Sequence, residues 1–183
     1  MVGNNISNRA AEGLGVWEHF TIQDGLPDMK IECVYEDNNG VLWIGTHHRG
    51  VVRYEGDVFK SYTQRDGLIG NNVFSVIEDG SGCLWFGTQQ GLSRFDGAGF
   101  ETVDIGEACS FLWGSCMDTG GNLWFGMERR PGKPAAVCKW DGVKIELINI
   151  SDEVTDQGQS IHQIVLGANG NIWLGGDKLY RYD

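Results

Sequence analysis

The sequence predicts an all-β fold, a β-propeller of four four-stranded blades, and three observations predict it. First, one string appears four times, as VLWIGT (41–46), CLWFGT (83–88), NLWFGM (122–127) and NIWLGG (171–176). Second, its tryptophans, Trp43, Trp85, Trp124 and Trp173, are spaced 42, 39 and 49 residues apart, near the length of a propeller blade. Third, the 183 residues include 28 Gly and 7 Trp but only 3 Pro, a composition suited to many tight turns and large buried rings.

Each blade is assigned in the same order. Apolar-rich runs, IECVY, VFSVI, SFLWGSC and IHQIVL, form the first strand, A. The turns EDNNG (36–40), EDGSG (78–82), MDTGG (117–121) and GANG (167–170) follow, with Gly, Asp and Asn to supply the backbone angles of short hairpins. The Trp string is strand B. It is apolar without alternation because a blade is covered on both faces. Strand C is VVRY (51–54), LSRF (92–95), AVCKW (136–140) and KLYRY (178–182); strand D is VFKSY (58–62), GFETV (99–103) and VKIELI (143–148).

The fourth copy stops after strand C, and the fourth D strand is found at the other end. VWEHFTIQDGL (16–26) matches VFKSYTQRDGL (58–68), with Trp17 in place of Phe59 and Phe20 in place of Tyr62. The expected blades are roughly 31–62, 72–104, 111–149, and 161–183 completed by 16–21, in one domain over 16–183 behind a flexible lead, 1–15. Closure within one chain gives a four-bladed ring. The same pairing between two chains gives one eight-bladed ring from a homodimer, and sequence does not separate the two.

Composition narrows the function. Acids outnumber bases 25 to 14, for a net charge of −11. Binding to nucleic acid needs a basic face, and no Lys/Arg cluster exceeds Arg129-Arg130 with Lys133, so nucleic acid is not an expected partner. No apolar run approaches the roughly 20 residues of a membrane span, and no membrane partner is expected. The N-terminus lacks the apolar core of a signal peptide. A whole chain of this kind would be cytoplasmic, and the same stretch cut from a sensor protein periplasmic. The odd set Cys33, Cys83, Cys109, Cys116 and Cys138 has no C-x-x-C pair and reads as small buried hydrophobes.

No Walker A, Rossmann, G-x-S-x-G or H-E-x-x-H pattern occurs, so no catalytic residue, metal ligand or cofactor is assigned. Neighbours such as His47 and His48 point in different directions on an extended chain and are poorly placed to chelate together. The acid pairs Glu36-Asp37 and Glu78-Asp79 recur with the turns, which favours a structural role.

The copies differ in their B–C and D–A loops, which share one face of the ring. Variable loops on a rigid scaffold are where binding usually sits. The candidate ligand contacts are His47, His48, Arg49, Gln89, Gln90, Glu128, Arg129 and Arg130. The function expected is a non-catalytic binding module of sensor or scaffold type for a small molecule, a glycan or a protein. The alternative is a propeller lyase or hydrolase with a site at the channel mouth.

The repeats resemble the two-component regulator propeller repeat of bacterial hybrid histidine kinases. The likeness rests on an Asp-Gly-Leu lead, Glu-Asp-x-x-Gly, Leu-Trp-Ile/Phe-Gly-Thr, then Gly-Leu-x-Arg-Phe/Tyr. Residues 66–97, DGLIGNNVFSVIEDGSGCLWFGTQQGLSRFDG, carry nearly all of it. The third copy lacks the Asp-Gly-Leu lead. The resemblance implies a propeller that recognises a ligand or partner outside the cell, although such sensors carry many more repeats, a membrane span and a kinase. Virginiamycin B lyase is a related-looking propeller with a metal site and a catalytic His; no matching His/Glu constellation appears here.

Overall fold

The computed structural model describes residues 17–106, 111–154 and 158–183. The fold is all-β, with fifteen strands among the described residues. The lead expected over 1–15 and Cys109 lie outside the described residues.

The first blade is an antiparallel sheet in the order β1 (Ile31–Glu36), β2 (Leu42–Thr46), β3 (Val51–Glu55) and β4 (Val58–Tyr62). The second repeats it with β5 (Val73–Glu78), β6 (Leu84–Thr88), β7 (Gly91–Phe95) and β8 (Phe100–Val103). The third comprises β9 (Phe111–Met117), β10 (Leu123–Arg129), β11 (Pro134–Trp140) and β12 (Ile145–Val154). The fourth has three strands, β13 (Gln159–Leu166), β14 (Ile172–Gly176) and β15 (Leu179–Tyr182). The first strands of successive blades touch one another, β1 on β5, β5 on β9 and β9 on β13, so they form the inner wall.

The recurring residues are explained by the hairpins and by the joints between blades. In three turns an Asp serves both the backbone and the next strand. One oxygen of Asp37, Asp79 and Asp118 accepts from backbone N–H groups two and four residues on, at 2.8–3.0 Å. The other accepts from the indole of Trp43, Trp85 and Trp124, at 2.9, 2.8 and 2.9 Å. The fourth turn has Gly167 instead and gives Trp173 no such acceptor. Cations on strand C then lie over the rings: Arg94 over Trp85, Lys139 over Trp124 and Arg181 over Trp173.

Each buried Trp packs on the following blade. Trp43 meets Phe86 and Phe95, and Trp85 meets Phe125 and Trp140. The glycine two residues later lets the blades approach. A Cβ on Gly45 would stand 2.5 Å from the Val73 carbonyl oxygen, one on Gly87 2.7 Å from that of Leu112, and one on Gly126 2.5 Å from that of Ile161. All three carbonyls belong to the next blade's inner strand.

One element differs from the sequence reading. Residues 17–20 form no strand, and β15 is the last strand of its sheet among the described residues. Instead Phe20 rests on Tyr54 and Phe59 of the first blade, ring centroids 5.5 and 5.6 Å apart. This matches Tyr62, which rests on Phe95 and Phe100 of the second blade at 5.8 and 5.5 Å. The segment therefore occupies the position of a preceding blade's D strand, as the 42-residue offset implies, but without the strand pairing. The short turn after it is also shared. Thr21 and Thr63 cap Ile22–Asp24 and Gln64–Asp66, each in a reciprocal capping box with the Asp, and Gly25 and Gly67 end the turns at φ 106° and 101°.

A candidate binding site along the inner strands

All four inner strands slip register at the same place. The irregularities fall between Ile31 and Cys33, between Val73 and Ser75, opposite Phe125 and Met127 in β9, and between Ile161 and Gln163. The residues released from the regular ladder are Glu32, Phe74, Trp113 with Gly114, and His162. A bulge re-aims a side chain and is common beside functional sites.

These side chains make one line across the blades. His47, from the β2–β3 loop, contacts Glu32 through Nδ1 and lies 6.5 Å from the Phe74 ring. Phe74 lies 4.4 Å from Trp113 and 5.4 Å from Phe111, and Phe111 stacks on Trp113 at 5.1 Å. Trp113 meets His162 edge-on at 5.3 Å. Phe74 is buried, Phe111 and Trp113 are half-buried, and His162 is exposed. The buried indole N–H of Trp113 finds no acceptor among the described residues.

The first-blade end of the line is polar. Lys30 Nζ lies 3.1 Å from Glu32 Oε1 and 3.0 Å from His47 Nδ1. Burial pushes the Glu32 carboxyl up, but hydrogen bonds from Lys30 and His47 outweigh it and hold the group below the ordinary carboxylate range. Asp28 behaves likewise: burial raises it, and backbone N–H groups of Lys30, His48 and Met29 bring it lower. His48 stands edge-on to His47 at 4.2 Å. Among the described residues, no three His, Cys, Asp or Glu side chains are grouped to hold a metal ion.

The loop residues picked from sequence divide. His47 sits in the line, and His48 and Arg49 are exposed beside it. Gln89 and Gln90 hold neighbouring loops: Gln89 Oε1 accepts from Asn72 N at 2.8 Å, and Gln90 Oε1 accepts from Gln64 Nε2 at 3.1 Å. Glu128 and Arg129 are not in a loop. Strand β10 continues through them and pairs with Ser160 and Gln159 of β13, because the third blade's longer β10–β11 hairpin starts later. Arg129 is buried and donates to Asn149 Oδ1 at 3.0 Å, while Arg130 is exposed. Sequence reasoning missed Glu32, Phe74, Phe111 and Trp113. One signal was available: in aligned copies the second residue of strand A is Glu32, Phe74 and His162, a column that changes chemistry while the residue before it stays apolar.

The Cys33 and Cys116 thiols are structural in character. Burial pushes Cys33 up to about 12 and Cys116 up to about 11, far from the thiolate that reactive cysteines need.

Comparison with known proteins agrees with this architecture. The two component regulator propeller family matches residues 25–48 and 67–90. The extracellular domain of the putative hybrid two component system BT4673 from B. thetaiotaomicron is 22% identical with a TM-score of 0.69; 94% of this chain aligns with 24% of that one. A catalytically inactive virginiamycin B lyase from Staphylococcus aureus, with quinupristin, is 16% identical at a TM-score of 0.66, over 92% of this chain and 59% of the lyase. PorZ, a surface component of the type-IX secretion system of Porphyromonas gingivalis, is 13% identical at 0.61, over 87% of this chain and 26% of PorZ. The chain thus spans about a quarter of the BT4673 domain and just over half of the lyase, and likeness at these identities is likeness of fold. A search of curated proteins finds no match. Two stretches of the chain, 25–48 and 67–90, thus match the two-component regulator propeller repeat, and they lie in an all-β propeller fold.

Proposed function

We propose that the chain is a binding module of the sensor type, without catalysis, and that its ligand lies along the line of inner-strand bulges. The observation that carries this reading is that the same register slip in four blades presents four different side chains, joined into one strip from Glu32 and His47 to His162. Packing needs explain what the copies share; this strip is what they do not share. Its chemistry suits a small molecule or glycan with an apolar face to stack on Phe111 and Trp113 and polar groups to meet Lys30, Glu32 and His47. A ligand acceptor that reached the Trp113 indole by a small turn of the ring would also recover an unsatisfied donor, worth about 1–3 kcal/mol. The sensor role is supported by the repeat family and by the fold shared with the BT4673 extracellular domain.

The test is a binding screen with soluble oligosaccharides and aromatic small molecules, followed by tryptophan fluorescence. Binding is expected to weaken about tenfold or more in Trp113→Ala, with thermal unfolding still cooperative. A ligand whose affinity is unchanged in both Trp113→Ala and His162→Ala overturns the placement. A second reading, a lyase at the same mouth, draws on the His47–Glu32 contact, in which a carboxylate orients an imidazole. Turnover of a bound oligosaccharide or ester, abolished by His47→Ala, would favour it over simple binding.

A further inference from the structure

The open hydrogen-bonding groups of the inner-strand strip are mostly donors. Lys30 has three N–H donors and meets two partners, Glu32 Oε1 at 3.1 Å and His47 Nδ1 at 3.0 Å. Its side chain is 62% exposed, which leaves a donor for whatever lies outside. Arg49 is exposed on the same loop as His47 and has five donors. Among the described residues its guanidinium makes no hydrogen bond or ion pair. The indole of Trp113 is a donor only, and its buried N–H has no acceptor among the described residues.

The acids at the same end are already engaged. Glu32 contacts both Lys30 and His47. Asp28 accepts from the backbone N–H of Lys30 at 3.2 Å and from that of His48 at 3.0 Å. A cationic ligand would have to displace Lys30 from Glu32, whereas an anionic one adds to donors that stand open. Lys30 and Arg49 also offset these two acids in formal charge, in a chain whose acids outnumber its bases 25 to 14. The polar end of the strip is thus a local exception to the acidity of the chain. One aromatic ring separates it from the indole: His47 lies 6.5 Å from Phe74, and Phe74 lies 4.4 Å from Trp113.

We infer that the ligand is a ring bearing a carboxylate, an inference that rests on the strip being the binding site. The face of the ring stacks on Phe111 and Trp113, and the carboxylate extends past Phe74 to Lys30 and Arg49. Hydrogen bonds between ionised groups are about twice as strong as neutral ones, so an anionic acceptor gains most from two cations. A neutral ligand would leave that gain unused. Two sources share this chemistry, a uronic-acid sugar and an aromatic acid, and the experiment separates them.

The test is titration calorimetry with two matched pairs, trigalacturonate against its methyl ester and indole-3-acetate against its amide. One acid is expected to bind about tenfold tighter than its neutral partner, and which acid it is names the source. Lys30→Met is expected to erase that advantage with unchanged circular dichroism, and Lys30→Arg to restore it. Added salt is expected to narrow the advantage, because it screens exposed charges. Trp113→Ala is expected to weaken both members of the pair. A neutral member that binds as tightly as its acid overturns the carboxylate inference and leaves binding along the strip intact. An advantage that survives Lys30→Met does the same. Binding indifferent to Trp113→Ala overturns the strip itself. If none of the four compounds binds at millimolar concentration, the carboxylate inference falls.

Discussion

Asp79 shows how much one side chain carries in this repeat. It accepts four hydrogen bonds, from the Ser81 hydroxyl and amide, the Cys83 amide and the Trp85 indole. Burial pushes its carboxyl up, and those bonds bring it below the ordinary value; Asp118 is balanced in the same way. Replacing Asp79 by Ala leaves the buried indole and turn amides without acceptors and is expected to cost about 1–3 kcal/mol in denaturant unfolding. The sign of the pH dependence follows. A carboxyl with a folded pKa below its unfolded one stabilises the fold above the unfolded value, near pH 4, and loses that contribution as pH falls through the folded one. Stability should thus be flat down to about pH 5 and fall below it, less steeply in Asp79→Asn. Equal slopes for the two proteins would remove Asp79 from the account of acid unfolding. The turn role of this residue was legible from Glu-Asp-x-x-Gly. Its bond to a Trp six residues on was not, because that contact depends on the hairpin register.

At the scale of the strand and the joint, the Trp-x-Gly spacing is the determining feature. Trp85 fills the space toward Phe125 and Trp140, and Gly87 removes the Cβ that would strike Leu112. Trp85→Ala is expected to cost about 3–5 kcal/mol. Gly87→Ala, which adds a methyl carbon 2.3 Å from Ser75 Oγ, is expected to cost about 1–3 kcal/mol by overpacking. Thermal unfolding measures both, and an unchanged midpoint in either would contradict the joint described. Strand order and the apolar character of strand B were legible because four copies could be set side by side. The bulges were not. A register slip is a property of two paired backbones, and IECVY or VFSVI looks like any buried strand until its partner is known. For the same reason the candidate site was read from loops alone, which found His47 and passed over Phe74 and Trp113.

For the whole molecule, sequence arithmetic identified the terminal segment as a displaced D strand, and the packing of Phe20 on Tyr54 and Phe59 agrees with that. It assigned the segment to the edge of the fourth strand C and left open whether that edge belongs to the same chain or to a second one, since the strand pairing is identical in both. The blade series places its shared residues at turns and joints, and the four side chains released by the register slips along the inner strands. The most direct measurement is backbone and indole chemical-shift mapping of 15N-labelled protein, titrated with the first oligosaccharide or aromatic compound found to bind. Shifts are expected at Glu32, His47, Phe74, Phe111, Trp113 and His162, and at the Trp113 indole before those of Trp43, Trp85 or Trp124. Shifts confined to the opposite face, around the turns at 37–40, 79–82 and 118–121, would contradict it.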